Sequence, residues 1–149
     1  MSGNANISEA FPVGTTVELP FTVTDADMDA FLAISGDDSA SHTDIEFCRA
    51  HGFPGRVVYG GLLVAVLSRV LGTRLPGRYG LSNSWTINFH NPLSTDEPAV
   101  LRAEVTQASD SMRVLRIEYR ITAGDRLIAE GIALSSVLDP LPPGNEEPE

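Results

Sequence analysis

The chain has three histidines, at positions 42, 51 and 90, and only His42 stands among carboxylates, with Asp37 and Asp38 before it and Asp44 after it. A carboxylate near an imidazole favours its protonated form and settles which ring nitrogen carries the proton, as a general acid/base pair acting on water requires. The same residues admit two plainer readings. Asp37 and Asp38 can simply turn a solvated loop beside an exposed His42, or Asp37, His42 and Asp44 can offer three hard ligands to a metal, a weak pattern in a loop. All ten basic residues are arginine, so lysine nucleophiles and Schiff bases are excluded. Cys48 is the single cysteine, which rules out an intrachain disulfide and any multi-cysteine zinc site and reads as a small buried group.

These side chains need a frame. Val17 to Val23 has the composition of a short strand, which Pro20 confines to an edge or bulge. Thr24 and Asp27 form a capping box for a helix from Asp25 to about Ser35, with Met28, Phe31, Leu32 and Ile34 at near-helical spacing and Gly36 as the stop. Asp37 to His42 is then a loop, and Thr43 to Ala50 a short helical turn ended by Gly52, Pro54 and Gly55. From Gly60 to Leu71 apolar residues run almost all the way round, which predicts a helix covered on every side. Strands follow at Ser84 to Asn91, Ala99 to Ala108, Arg113 to Thr122 and Arg126 to Val137. In the third, Leu115, Ile117, Tyr119 and Ile121 alternate with Arg116, Glu118, Arg120 and Thr122, the period of a sheet wet on one face. Short turns near Asp110 and Gly124-Asp125 make the neighbours antiparallel. The fold class is therefore α+β, a curved antiparallel sheet wrapped around one buried helix.

With 149 residues, one domain is expected over 11–139, preceded by a flexible segment 1–10 and followed by a disordered tail 140–149 rich in proline and glutamate. A net charge of −10 speaks against nucleic acid and anionic membranes as partners. No apolar run approaches the roughly 20 residues of a membrane span, and the polar N-terminus lacks a secretory pattern, so a cytoplasmic location is expected. Trp85, Ile87 and Phe89 read as core or dimer surface, and His90 as a surface or interface residue.

The stretch from Phe31 through Ser35-Gly36-Asp37-Asp38-Ser39-Ala40-Ser41-His42-Thr43-Asp44, followed by Val58-Tyr59-Gly60-Gly61-Leu62 and Ser68, resembles the signature of the MaoC-like dehydratases, the hot-dog-fold group that includes the R-specific enoyl-CoA hydratases. That pattern is Ser-Gly-Asp-x-Asn-Pro-x-His-x-Asp, then Ile/Val-His-Gly opening the central helix, then a helix Ser. By resemblance, Asp37 and His42 are the catalytic acid/base pair, Gly60 is the oxyanion-hole glycine and Ser68 supports Asp37 through its hydroxyl. Ser39 and Ala40 replace the Asn-Pro, which frees the loop backbone, and Tyr59 replaces the His, which could alter the width of the pocket or bring a phenol donor near the substrate thioester.

The implied reaction is addition of water to a 2-enoyl thioester of CoA or an acyl carrier protein, giving the R-3-hydroxyacyl thioester, or the reverse. Free amides at Gly60 and Gly61, where the helix starts, would take the charge that develops on the thioester oxygen. Tyr59 and Gly61 would adjoin the substrate. Arg56, Arg69, Arg74 and Arg78 are candidates for an entrance that meets the carrier's phosphates. No cofactor or metal is implied, and a homodimer is. Two other functions stay open on the same residues: a thioester hydrolase with Asp37 as base or nucleophile, and a binder of acyl thioesters without turnover.

Overall fold

The structure is a computed structural model that describes residues 5–139 and Leu141. A helical turn, α1 (Ile7–Ala10), precedes the edge strand β1 (Thr16–Phe21). Helix α2 (Asp25–Ser35), the turn α3 (Ala40–Thr43) and helix α4 (Ile45–Ala50) then lead to the long helix α5 (Gly60–Thr73). The strands β2 (Gly80–Trp85), β3 (Asn88–Phe89), β4 (Ala99–Ser109), β5 (Val114–Ala123) and β6 (Arg126–Val137) complete the chain. Strand order is β1-β4-β5-β6-β2, all antiparallel, with β3 also paired to β6. Pro20 is tolerated because β1 is an edge, paired only with β4.

Local chemistry explains the elements around the site. Thr24 accepts the Asp27 amide while Asp27 accepts the Thr24 amide, so the predicted capping box starts α2, and Gly36 at φ 71 ends it. Asp44 accepts the amides of Glu46 and Phe47 and thereby starts α4. In β5, Leu115, Ile117, Tyr119 and Ile121 are all buried, as the alternation requires, and meet Leu63, Leu67, Val70 and Leu71 of α5 in one core.

Three expectations need correction. The chain is ordered earlier than position 11: Ile7 is fully buried and Ser8 donates both its amide and its hydroxyl to Asp110. One apolar side chain and a two-point anchor outweigh the polar composition of 1–10 in this stretch. The tail 140–149 lies outside the described residues except Leu141, which packs against the core. Helix α5 is not covered on all sides. Leu63, Leu67, Val70 and Leu71 face the sheet, while Gly61, Ala65, Ser68 and Gly72 lie exposed on the other side of this single chain. Finally, the predicted strand over 84–91 is two strands. Thr86 breaks it, since its carbonyl accepts the Tyr119 hydroxyl at 2.6 Å and sits where a side chain at Gly131 would be.

Candidate active site

Asp37 and His42 are brought to the same place by a loop that the left-handed Gly36 turns away from α2. The Asp37 carboxylate closes that loop locally: one oxygen, Oδ1, accepts both the Ser39 amide (3.1 Å) and the Ser39 hydroxyl (2.7 Å). Those two donors hold the Asp37 carboxyl below its ordinary range, hydroxyl first and amide second, against an opposing desolvation. The group is an exposed, ionised carboxylate whose second oxygen has no hydrogen-bond partner among the described residues. These two bonds close the turn from Asp37 to Ser39.

His42 lies on α3. Its ring nitrogen Nδ1 is 2.6 Å from the Val57 carbonyl, which can only accept, so Nδ1 carries the proton and Nε2 keeps its lone pair in the neutral ring. This corrects the expectation that a neighbouring carboxylate fixes the tautomer: Asp44 is spent on capping α4, and a backbone carbonyl does the work. Val57 had no signal in the sequence, since only its main chain takes part.

The α3 turn is clamped to its surroundings by Arg56. Its guanidinium donates to the His42 carbonyl (2.7 Å) and pairs with Asp25 (3.2 Å) and Asp29 (3.1 Å) of α2, and its side chain is only 13% exposed. Arg56 is therefore unavailable to a carrier phosphate. Arg69, Arg74 and Arg78 are exposed, although Arg74 donates to the Glu18 carbonyl and Arg78 lies over the Tyr79 ring.

Tyr59 does not take the role expected of it. It is 1% exposed, its hydroxyl donates to the Asp37 carbonyl at 2.5 Å, and its ring lies between those of Phe31 and His42, with centroids 4.6 and 4.1 Å away. A donor spent inside the protein cannot reach a substrate. Burial, reinforced by the Asp37 charge, pushes the phenol above its ordinary range and keeps it a donor.

The next residues open α5. The amides of Gly60 and Gly61 have no hydrogen-bond partner among the described residues, as the first turn of a helix dictates. A side chain at Gly60 would meet the Phe89 ring at 2.7 Å, and one at Gly61 the Phe31 ring at 2.3 Å. The glycines thus serve aromatic packing as well as leaving two amides bare. Phe31 and Phe89 were legible only as apolar residues, since nothing local pairs them with glycines far along the chain. Beside Gly60 opens a cavity of about 320 Å³, walled by Val57, Val58, Leu63, Phe89 and Leu93, with His90 and Asn91 at its polar side. His90 pairs there with Glu130 at 3.2 Å. Ser68 lies exposed on α5 with no hydrogen bond to Asp37 among the described residues. Among those residues no three His, Cys, Asp or Glu side chains cluster to hold a metal, and no helix is long and apolar enough to cross a membrane.

The family model described as "MaoC like domain" matches residues 9–125. The 3-hydroxybutyryl-CoA dehydratase of Methylorubrum extorquens is 30% identical over 129 residues, which are 87% of this chain and 82% of that protein. An (R)-specific enoyl-CoA hydratase of Aeromonas caviae is 27% identical over 128 residues, 85% of this chain and 96% of that one. The solved (R)-hydratase of A. caviae involved in PHA biosynthesis superposes with a TM-score of 0.82 at 27% identity, covering 87% of this chain and 99% of its own. With the sheet curved around α5 and a family match over most of its length, the chain belongs to the MaoC-like domain family and has its hot-dog fold.

Proposed function

We propose that this chain is a hydro-lyase that adds water to a trans-2-enoyl thioester of CoA or an acyl carrier protein, or removes it from the R-3-hydroxyacyl thioester. The observation that carries the reading is the His42 tautomer: Nδ1 is committed to Val57, so Nε2 is a free base beside an ionised Asp37. His42 Nε2 takes a proton from water while the free Asp37 oxygen accepts the other hydrogen and aims the oxygen at C3. The C3–O bond forms, the electron pair moves to the thioester oxygen, and the amides of Gly60 and Gly61 stabilise that charge. The imidazolium then returns its proton to C2. Asp37 stays ionised throughout, since its Ser39 bonds make it a weak base, and works by orientation and charge. The acyl chain enters the apolar cavity beside Gly60. The R configuration is that of the similar (R)-specific hydratases.

A second copy of the chain belongs to the proposal. Leu81, Trp85 and Phe89 on the free β2–β3 edge are 58%, 38% and 57% exposed, and the small-residue face of α5 and Asp37 are open as well. A homodimer would cover these surfaces and exclude water other than the reactant. Trp85→Arg should then yield a monomer in sedimentation. The single cysteine, buried and unpaired, accords with the reducing cytoplasm that the proposal assumes.

The test is incubation with crotonyl-CoA and longer enoyl-CoAs while following enoyl absorbance and free thiol. Loss of the enoyl group without thiol supports the proposal. Thiol release would assign hydrolysis instead, and neither signal would leave a binder.

A further inference from the structure

Tyr59 occupies a special place: it is the residue before the bare amides, its hydroxyl reaches back to the main chain of Asp37, and its ring is stacked on His42. One rigid side chain therefore touches the carboxylate residue, the imidazole and the helix start. The hydrogen bond of 2.5 Å is made by a phenol only 1% exposed, so no water competes for it. It spans 22 positions of sequence and is the longest-range bond made by the Asp37 main chain among the described residues.

We propose that Tyr59 is the positioning residue of this site, locking Asp37 and His42 against the start of α5 and so doing the work that Asn-Pro does in the family pattern. The assignment deepens the hydro-lyase reading and rests on it for its kinetic consequence. The structure also shows why the two locks are interchangeable. Ser39 already has the extended backbone (φ −55, ψ 141) that precedes proline, and Ala40 opens α3 with an amide that has no hydrogen-bond partner among the described residues. Proline fits at 40 without loss of a hydrogen bond.

The test uses Tyr59→Phe, which keeps the ring and removes the hydroxyl, and the double variant Tyr59→Phe, Ala40→Pro, which leaves the Ser39 bonds to Asp37 in place. In Tyr59→Phe, amide hydrogen exchange at His42, which donates to the Ser39 carbonyl, should accelerate about fivefold to tenfold, the equilibrium weight of one neutral hydrogen bond, while the sheet amides stay unchanged. With crotonyl-CoA, kcat should fall about tenfold to a hundredfold and KM stay within about twofold, because displacement of the pair costs orientation and not binding. The double variant should recover both. Unchanged exchange at His42, exchange that rises across the whole sheet, or no recovery in the double variant overturns the assignment. Wild-type protein without turnover would overturn the hydro-lyase reading alone, and the exchange measurements would still decide the role of Tyr59.

Discussion

Replacing Asp37 by Asn isolates the charge of the carboxylate from its shape. The wild-type carboxylate uses Oδ1 for the Ser39 amide and hydroxyl and leaves the second oxygen free. In Asp37→Asn the carbonyl oxygen can keep both Ser39 bonds, and the amide nitrogen, a donor only, takes the place of the free oxygen. The loop and the Tyr59 contact to the Asp37 carbonyl should survive, so the thermal midpoint should move by no more than about 2 °C, as surface changes away from buried features do. Catalysis should not survive, because the group that accepts from the attacking water becomes a donor and the negative charge beside His42 is gone. The loss expected of a positioned acid/base group is about 10²- to 10⁴-fold in kcat for enoyl-CoA hydration. The assay is loss of enoyl absorbance under saturating crotonyl-CoA, alongside a thermal melt of the same sample. A variant within fivefold of wild type would remove Asp37 from the reaction, and a collapse of the melting curve would show that the carboxylate acts on the fold.

Ser39→Ala removes the largest influence that lowers the Asp37 carboxyl, so its carbon-13 titration should move up toward the ordinary 3.8. Because the folded value lies below the unfolded one, the stability contributed by this group is present above that range and lost as pH falls through the folded value, and the variant should lack most of it and show a flatter acid limb in a pH series of urea melts. Gly131→Ala should be severe: its Cβ would stand 1.9 Å from the Thr86 carbonyl oxygen, and peeling β2–β3 from β6 should cost about 4 kcal/mol or more in urea denaturation. Leu67→Ala empties a fully buried position under α5 and should cost about 2 to 5 kcal/mol with an unchanged denaturant slope, measured at one protein concentration.

Much of the architecture could be read from local pattern. The capping box of α2, the stop at Gly36, the alternation in β5 and the hairpins joining β4, β5 and β6 are consequences of neighbouring residues, and each is where the pattern put it. The break at Thr86 was invisible because it depends on Tyr119 and Gly131, residues 33 and 45 positions away, given by their numbers. The burial of Ile7 depends in the same way on β4 and Asp110.

For the site, the charged loop singled out His42 and its neighbouring carboxylates, and only the resemblance to a family pattern chose Asp37 and His42 over a solvated turn and added Gly60 to them. Which nitrogen of His42 is free, which arginine is already engaged and where the Tyr59 hydroxyl points were decided only in three dimensions. Those outcomes turn on main-chain carbonyls and on rings meeting across the fold, and a carbonyl belongs to every residue alike, so no letter of the sequence marks the one that will accept the bond.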